Sequence, residues 1–255
     1  MRGDATPRPA GTGTGLRLFC LPYAGGSARL FKHWERELPG FVEVCPIELP
    51  GRGTRFGEPP YTDPEWLVED VLAGLEGRLD LPFVLFGYSL GSLLAFEAAR
   101  RLEALGRAPV CLVVAAFSAP GPRSREEGEG ASFLPDAEFR RRLGELNGTP
   151  RELLDNDAFM ELMLPVIRAD FRIADTYVYR PGPPLGCPVV AFGGEDDAEF
   201  GMAEVRAWSR HTDAEFSLHR MPGDHFFLHS HHELLLKELS TELTAHMSSY
   251  GRPGR

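Results

Sequence analysis

The chain has 255 residues, of which 43% are hydrophobic and 25% charged, and these values are typical of a globular protein with a full-sized core. Its net charge of −10 argues against nucleic acid or an anionic membrane as a partner, because both bind basic surfaces. No run of about 18 apolar residues is present, and residues 1–14 lack the apolar core of a signal peptide. We therefore expect a cytoplasmic monomer whose residues 1–14 form a flexible N-terminal segment.

From Leu16 onward, short apolar runs alternate with helical patterns, which predicts a mostly parallel sheet flanked by helices. The predicted strands cover residues 16–22, 41–49, 83–88, 109–118, 187–194 and 214–222. The predicted helices cover residues 27–38, 63–79, 92–106, 202–210 and 231–247. These elements assign residues 15–118 and 181–250 to one α/β core.

The alternation stops between residues 119 and 180. A polar loop, PGPRSREEGEG, is followed there by amphipathic segments such as DAEFRRRLGEL and DAFMELMLPVIRADFRIADTYVY. A helical insertion inside a sheet pattern is typical of a cap that covers one edge of the sheet and serves a functional site. We predict that residues 119–180 form a helical lid subdomain.

The four cysteines lie far apart, and three of them fall inside apolar runs. They are Cys20, Cys45, Cys111 and Cys187. This spacing indicates neither a disulfide framework nor a Cys-x-x-Cys site, so we expect reduced thiols that are mostly buried.

The stretch FGYSLGS joins the predicted strand at 83–88 to the helix that follows it. Its central residues, GYSLG, fit the pattern G-x-S-x-G, in which a serine lies on a strained turn between a strand and a helix. The glycines at both ends are required because a larger side chain would collide with the neighbouring strand or helix. The pattern predicts that Ser89 is a nucleophile; the alternative is a serine in a tight turn without chemical function.

A nucleophilic serine needs a base, and the base needs an acid that holds its tautomer. In the α/β-hydrolase fold these residues follow in the order serine, acid, histidine, each at the end of a strand. Of the eight histidines, His225 in MPGDHFFL comes shortly after the last predicted strand. The run HFFLHSHH also suggests a metal site, but no acid or cysteine is spaced to complete a tetrahedral set, so we expect no metal.

The acid is expected in the segment GGEDD, which follows a predicted strand. Glu195, Asp196 and Asp197 are the candidates; a turn of the form G-x-x-D favours Asp197, with Asp196 as the second choice. An acidic loop exposed to solvent is the alternative for each of them. The strand before it is followed by FSAPGP, which contains no carboxylate.

An oxyanion hole needs two backbone N–H groups, one from the residue after the nucleophile and one from the loop after an early strand. Leu90 supplies the first, and Ala24 in the loop PYAGGSA is the candidate for the second. A phosphate-binding loop is the competing interpretation of PYAGGSA. Its glycines, however, have neither the G-x-G-x-x-G nor the Walker spacing, so no nucleotide cofactor is expected.

The chain resembles the stand-alone type II thioesterases of polyketide and nonribosomal peptide synthesis, which are relatives of the medium-chain acyl-carrier-protein thioesterase of fatty-acid synthesis. The matching stretches cover nearly all of the chain from Leu16 and are FCLPYAGGSARLF, ELPGRGTRF, FVLFGYSLGSLLAFEAARRL, GGEDD and PGDHFFL. The resemblance implies an α/β-hydrolase fold in which Ser89 is the nucleophile, His225 the base and Asp197 the acid. It also implies an oxyanion hole formed by the backbone N–H groups of Ala24 and Leu90.

One position departs from the family pattern, because many members have a proline after the acid where this chain has Ala198. The resemblance further implies the substrate, an acyl group held as a thioester on the phosphopantetheine arm of an acyl or peptidyl carrier protein. Such enzymes remove aberrant or stalled units during antibiotic biosynthesis. The enzyme itself would need no cofactor, since the partner protein carries the phosphopantetheine.

Two other functions remain open at this point. A general carboxylesterase or acyltransferase would act on small esters or acyl-CoA with the same residues. A ligand-binding protein without catalytic activity would keep only the fold.

The helical insertion is also expected to form the substrate chamber, with residues 132–178 lining an apolar cavity for the acyl chain. The candidate wall residues are Phe133, Met160, Met163, Leu164, Ile167 and Phe171. Ordinary packing between helices is the alternative for each of them. The run of three arginines at 140–142 is either a docking patch for an acidic carrier protein or a solvated helix face, and Arg52 and Arg55 are expected to brace loops near the site.

Overall fold

The computed structural model describes residues 15–121 and 129–250. Within these residues six strands form one parallel sheet in the order β2-β1-β3-β4-β5-β6. The strands are β1 (Leu16–Leu21), β2 (Val42–Pro46), β3 (Phe83–Tyr88), β4 (Cys111–Ala115), β5 (Val189–Gly194) and β6 (Phe216–Met221). Each strand lies within the range predicted from the sequence, and the prediction of an α/β fold with a mostly parallel sheet is confirmed.

The described helices largely follow the predicted pattern. They are α1 (Trp34–Glu37), α2 (Pro64–Leu75), α3 (Leu90–Ala104), α4 (Asp136–Glu145), α5 (Arg151–Leu154), α6 (Asp157–Thr176), α7 (Met202–Arg206), α8 (Phe227–Ser230) and α9 (His232–Ser249). The predicted helix at 27–38 is instead a 3-10 turn, Ala28–Phe31, followed by the single turn of α1. Helix α2 begins as expected, because the Asp63 side chain accepts a hydrogen bond from the Glu65 N–H and Pro64 occupies the first helical position.

The sheet is covered on both faces, which explains why its strands are nearly continuous apolar runs. Strand β1 shows how the two faces are built. Phe19 and Leu21 point toward the cluster formed with α2 and α3, whereas Leu18 and Cys20 point toward the cluster formed with α1 and α9. All six residues of β3 are buried.

The strand order places two loops side by side at one edge of the sheet. The chain runs from β1 outward to β2 and then returns to β3 on the other side of β1. Leu21 at the end of β1 pairs with Gly87 near the end of β3. At such a reversal of strand order the loops at the carboxyl ends of the strands leave room for a ligand.

Helices α4, α5 and α6 lie between β4 and β5 in the chain, and we call them the inserted helices. In the described part of residues 119–180, helices alternate with loops and no strand occurs. These helices have a small apolar cluster of their own, whose buried members are Phe139, Leu143, Leu154, Met160 and Ile167. Helix α6 also contacts α2 and α3 of the core.

Parts of the N-terminus and of the polar loop lie outside the residues that the structure describes. The expected flexible segment at 1–14 lies outside the described residues, and so does most of the polar loop, residues 122–128. Among the helices of residues 15–121 and 129–250, none combines the length and the apolar character that crossing a membrane requires.

Candidate active site

Ser89 lies on the sharp turn between β3 and α3. Its backbone has φ 52° and ψ −119°, a region that a non-glycine residue rarely adopts. The turn is held by hydrogen bonds from the Ser89 N–H to the Ala115 C=O, 2.8 Å, and from the Ser92 N–H to the Ser89 C=O, 2.8 Å. The strained turn therefore has backbone support from β4 and from the first turn of α3.

The two glycines of the motif are required by contacts across this turn. A Cβ atom on Gly87 would lie 2.2 Å from the Gly91 carbonyl oxygen. A Cβ atom on Gly91 would lie 2.2 Å from the Leu21 carbonyl oxygen, in β1. Both obstacles are backbone atoms of packed elements, so they have little freedom to move away.

We expect Gly91→Ala to lower the free energy of unfolding by about 2–4 kcal/mol, because the added methyl group must push α3 away from β1. Gly57→Ala is the matched control, since nothing lies within 4 Å of a Cβ atom at that position. Urea unfolding of both variants and the wild type measures the difference. Equal stability of the two variants would contradict the proposed steric role of Gly91.

The structure brings His225 and Ser89 together across 136 residues of sequence. The Nε2 atom of His225 is 3.0 Å from the Ser89 Oγ, and its Nδ1 atom is 2.9 Å from Asp197 Oδ2. His225 is 8% exposed, and the Asp197 side chain has no exposed surface. Because an ionised carboxylate only accepts hydrogen bonds, Nδ1 must carry the proton, and Nε2 is left to accept the serine proton.

Of the three candidate acids, the structure places Asp197 against His225. Its other oxygen, Oδ1, accepts hydrogen bonds from the N–H groups of Glu199, 2.8 Å, and Phe200, 3.1 Å. Both carboxylate oxygens are therefore engaged and the side chain has one orientation. Asp196 and Glu195 are exposed, and Glu195 forms an ion pair with Arg220 instead.

Tyr88 supports the histidine, which the sequence interpretation did not anticipate. Its hydroxyl donates to the His225 carbonyl oxygen at 2.7 Å and accepts from the Leu228 N–H at 3.2 Å. Burial raises the pKa of Tyr88 well above its ordinary value, so the hydroxyl stays protonated and able to donate. The residue is the variable position of G-x-S-x-G next to the nucleophile, but no local pattern indicates a partner 137 residues away.

The two candidate oxyanion donors lie on the neighbouring loops described above. Leu90 is the first residue of α3, so its N–H has no acceptor within the helix. Ala24 lies between Tyr23 and Gly25 in a turn closed by a hydrogen bond from the Gly26 N–H to the Tyr23 C=O, 2.8 Å. Gly25 has φ 77°, which favours glycine there.

The remaining histidines of HFFLHSHH have separate partners. The Nε2 atom of His229 is 3.0 Å from the Tyr23 hydroxyl, and that of His232 is 3.1 Å from a Glu37 carboxylate oxygen. His231 contacts the Ser230 hydroxyl at 2.9 Å. The four histidines of the run thus have different partners rather than one shared centre.

The six predicted chamber residues all lie on or beside the inserted helices. Met160 and Ile167 are buried in the apolar cluster of these helices, and Met163, Leu164 and Phe171 pack against it. The Arg172 guanidinium lies over the Phe133 ring, with its Cζ atom 4.3 Å from the centre of that ring. The arrangement fits both a chamber wall and ordinary packing, so the chamber stays a prediction.

The three arginines at 140–142 each have a carboxylate partner within the chain. Arg140 contacts Asp157 at 2.7 Å, Arg141 contacts Glu145 at 2.7 Å, and Arg142 contacts Glu199 at 2.5 Å. The paired charges favour the interpretation as a solvated helix face.

A cavity of about 1060 Å³ lies elsewhere, between α2, the second half of α3 and the end of α6. Glu97, Arg100, Tyr177 and Arg180 are among its lining residues, whereas none of the site candidates lines it. This cavity is therefore separate from the site around Ser89.

The chain is similar to known proteins over most of its length. A family model described as a thioesterase domain matches residues 16–243. Linear gramicidin dehydrogenase LgrE of Brevibacillus parabrevis is 41% identical, over 91% of this chain and 89% of its own length. Thioesterase PikA5 of Streptomyces venezuelae is 38% identical, over 89% of this chain and 81% of its own length.

Among solved structures, the type II thioesterase BorB from the borrelidin biosynthetic cluster superimposes with a TM-score of 0.81. It is 38% identical, and the match covers 94% of this chain and 95% of that one. LgrE is named a dehydrogenase, whereas the loop after β1 of this chain, PYAGGSA, lacks the glycine spacing of a dinucleotide-binding loop.

Proposed function

The chain belongs to the thioesterase domain family, and on this basis we propose that it hydrolyses acyl groups held as thioesters on the phosphopantetheine arm of acyl or peptidyl carrier proteins. The single observation that carries the chemistry is the contact of His225 with both Ser89, 3.0 Å, and Asp197, 2.9 Å. In the proposal the enzyme removes aberrant or stalled units during polyketide and nonribosomal peptide synthesis.

In the first half of the reaction, Ser89 Oγ attacks the carbonyl carbon of the thioester while His225 Nε2 takes the hydroxyl proton. The tetrahedral intermediate then loses the pantetheine sulfur, which receives that proton from Nε2, and the acyl group remains as an ester on Ser89. In the second half, His225 Nε2 takes a proton from water, which attacks the ester carbonyl; the acid is then released as Nε2 returns that proton to Ser89 Oγ. Asp197 stabilises the imidazolium that forms in each half.

The negative charge on the carbonyl oxygen needs donors fixed before the reaction. The backbone N–H groups of Ala24 and Leu90 are proposed to supply them. Support comes from their position on two loops that leave the sheet at the paired residues Leu21 and Gly87. Because Leu90 is at the start of α3, the helix dipole adds to the field at this point.

The leaving group explains why a thioester suits this site. By analogy with cysteine, whose thiol pKa is about 8.5, the pantetheine thiol leaves a tetrahedral intermediate much more readily than an alcohol, whose oxygen is far more basic. The enzyme therefore needs no cofactor of its own, because the phosphopantetheine arrives on the partner protein.

Residues 119–180 are proposed to act as the lid over this site, on the α/β core of residues 15–118 and 181–250. Helix α6 supports the proposal, because the Ile167 side chain lies 2.8 Å from the position of a Cβ atom on Gly25. Helix α6 thus packs directly against the loop that carries Ala24. The described cysteines are all free and buried, which agrees with a cytoplasmic location for the enzyme.

The proposed substrate is tested by comparing kcat/KM for three acyl donors with the same acyl group. We expect the acyl-carrier protein to exceed the free pantetheine thioester by at least about tenfold, which corresponds to about 1.4 kcal/mol of added transition-state binding. When kcat/KM is divided by the rate of uncatalysed hydrolysis, the p-nitrophenyl ester should give the lowest value of the three. Intact-protein mass spectrometry of the carrier protein measures loss of the acyl group directly.

The other outcomes of this experiment identify the other functions. A preference for the p-nitrophenyl ester or for the free pantetheine thioester would indicate a general esterase or acyltransferase. Absence of hydrolysis, together with failure of a fluorophosphonate probe to label Ser89, would indicate a ligand-binding protein without catalytic activity.

A further inference from the structure

A buried ion pair connects the inserted helices to the loop between β2 and α2. Asp170 lies on α6, and Arg52 lies in the segment PGRGTR that follows β2. Their side chains are 2% and 3% exposed. The guanidinium binds the carboxylate with two hydrogen bonds, from Nη1 to Oδ2 at 2.5 Å and from Nη2 to Oδ1 at 2.7 Å.

The same pair holds the loop that carries the candidate oxyanion donor. Asp170 Oδ2 accepts a hydrogen bond from the Gly25 N–H at 2.7 Å. Arg52 Nη1 donates to the Gly26 carbonyl oxygen at 3.3 Å. The pair therefore contacts the N–H of one residue and the C=O of the next, directly after Ala24.

Arg52 is itself fixed in the core. Its Nε and Nη2 atoms both donate to the Pro50 carbonyl oxygen at 3.2 Å, so the guanidinium has one orientation. Gly25 has φ 77°, and Ile167 of α6 occupies the space that a side chain there would need. The conformation of the Gly25–Gly26 loop thus depends on α6 being seated against it.

A buried ion pair of this kind adds little net stability, because removing both charges from water opposes their attraction. Apolar residues of the same volume would hold α6 to the core equally well. What an apolar contact lacks is directional hydrogen bonds to the backbone of residues 25 and 26. The geometry therefore points to a role of the ion pair in positioning the backbone of residues 25 and 26, rather than in holding α6 to the core.

We propose that Asp170, together with Arg52, is a positioning residue for the oxyanion hole: it holds the Gly25–Gly26 backbone so that the Ala24 N–H points at the substrate carbonyl oxygen. The inference rests on the proposed thioesterase function. The proposal also couples the position of the lid to catalysis. If α6 moves away, Asp170 no longer binds the Gly25 N–H, and the loop that carries Ala24 loses this hydrogen bond. Hydrolysis then requires α6 to be seated.

The test is Asp170→Asn, which keeps the size of the side chain but removes the charge that Arg52 binds. We expect kcat for pantetheine thioesters to fall by about 10²-fold, the effect of losing one oxyanion donor, with KM little changed. Asp70→Asn is the matched control. Asp70 also binds an arginine of PGRGTR, Arg55, with two hydrogen bonds of 2.6 and 2.8 Å, but it does not bind residues 25 and 26.

A second readout separates positioning from general damage. Replacing the carbonyl oxygen of the thioester by sulfur weakens hydrogen bonding to the developing charge, so the wild type should favour the oxygen substrate through its oxyanion donors. In Asp170→Asn this ratio of oxygen to sulfur rates should shrink by about the same factor as kcat, whereas Asp70→Asn should keep the wild-type ratio. An unchanged ratio in Asp170→Asn overturns the inference, even if the variant is slower.

A second variant is needed in case Asp170→Asn does not fold. If Asp170→Asn is unfolded by circular dichroism at the assay temperature, Arg52→Lys replaces it, because lysine keeps the charge but cannot bind Asp170 and Gly26 in the same fork. If both variants are unfolded, the role of the pair is in folding and the inference is withdrawn. Failure of the proposed function itself would look different, since the wild type would then leave the thioester intact.

Discussion

Ser89→Ala is expected to lower kcat for thioester hydrolysis by at least about 10⁴-fold while the protein stays folded. The variant lacks the oxygen that forms the acyl-enzyme, so only weak catalysis by the donors around the carbonyl remains. Alanine at this position keeps the positive φ of 52° that serine already tolerates, and no backbone hydrogen bond of the turn is lost. The fold should therefore change little.

The measurement is the mass of the enzyme after mixing with acyl-carrier protein, combined with labelling by a fluorophosphonate. Wild-type protein should gain the probe and Ser89→Ala should not. Ser92→Ala is the matched control, since Ser92 directly follows the motif but its Oγ contacts the carbonyl oxygens of Gly87, 2.8 Å, and Ala115, 2.9 Å. Ser92→Ala should be labelled normally and be less stable, and labelling of Ser89→Ala would exclude Ser89 as the nucleophile.

Asp197→Asn is expected to reduce kcat by about 10⁴-fold with little change in KM. The reason is that asparagine has no acceptable orientation here. If its oxygen faces His225 Nδ1, its NH₂ group faces the N–H groups of Glu199 and Phe200. If the amide is turned over, the NH₂ group faces Nδ1 and forces the histidine proton onto Nε2, the atom that must accept from Ser89.

Asp196→Asn is the control for this change, because it removes the same charge one residue away from an exposed side chain. We expect its kcat to be within about twofold of the wild type, as a surface substitution away from the site has little effect. Steady-state rates at several pH values measure both variants. A larger loss in Asp196→Asn than in Asp197→Asn would reverse the assignment of the acid.

Much of the fold was predictable because its causes are local. The apolar runs of β1 and β3 are buried on both faces, so their composition alone indicates strands of a parallel sheet. The strand, glycine-flanked serine and helix around Ser89 form one continuous segment, so steric rules identify the turn. The thioesterase family, which the resemblance implied, is confirmed by the match over residues 16–243.

Less local features were only partly predictable. The helix expected at 27–38 is a 3-10 turn followed by one turn of α1, and the two turns bury Phe31 and Trp34 in the same apolar cluster. From residue types alone, the acid remained open between Asp196 and Asp197. Only the tertiary structure shows which of the two carboxylates points to the histidine.

By itself, the sequence determined the α/β pattern, the serine turn, His225 as the candidate base and the segment that holds the acid. Each of these depends on neighbours in the chain or on the order in which such residues follow one another in the fold. The tertiary structure alone decided which groups hold those residues in place. Tyr88 binds His225 across 137 residues, and Arg52 binds Asp170 across 118. Such contacts join loops from different strands, and their geometry depends on how the sheet and α6 pack, which no local pattern encodes.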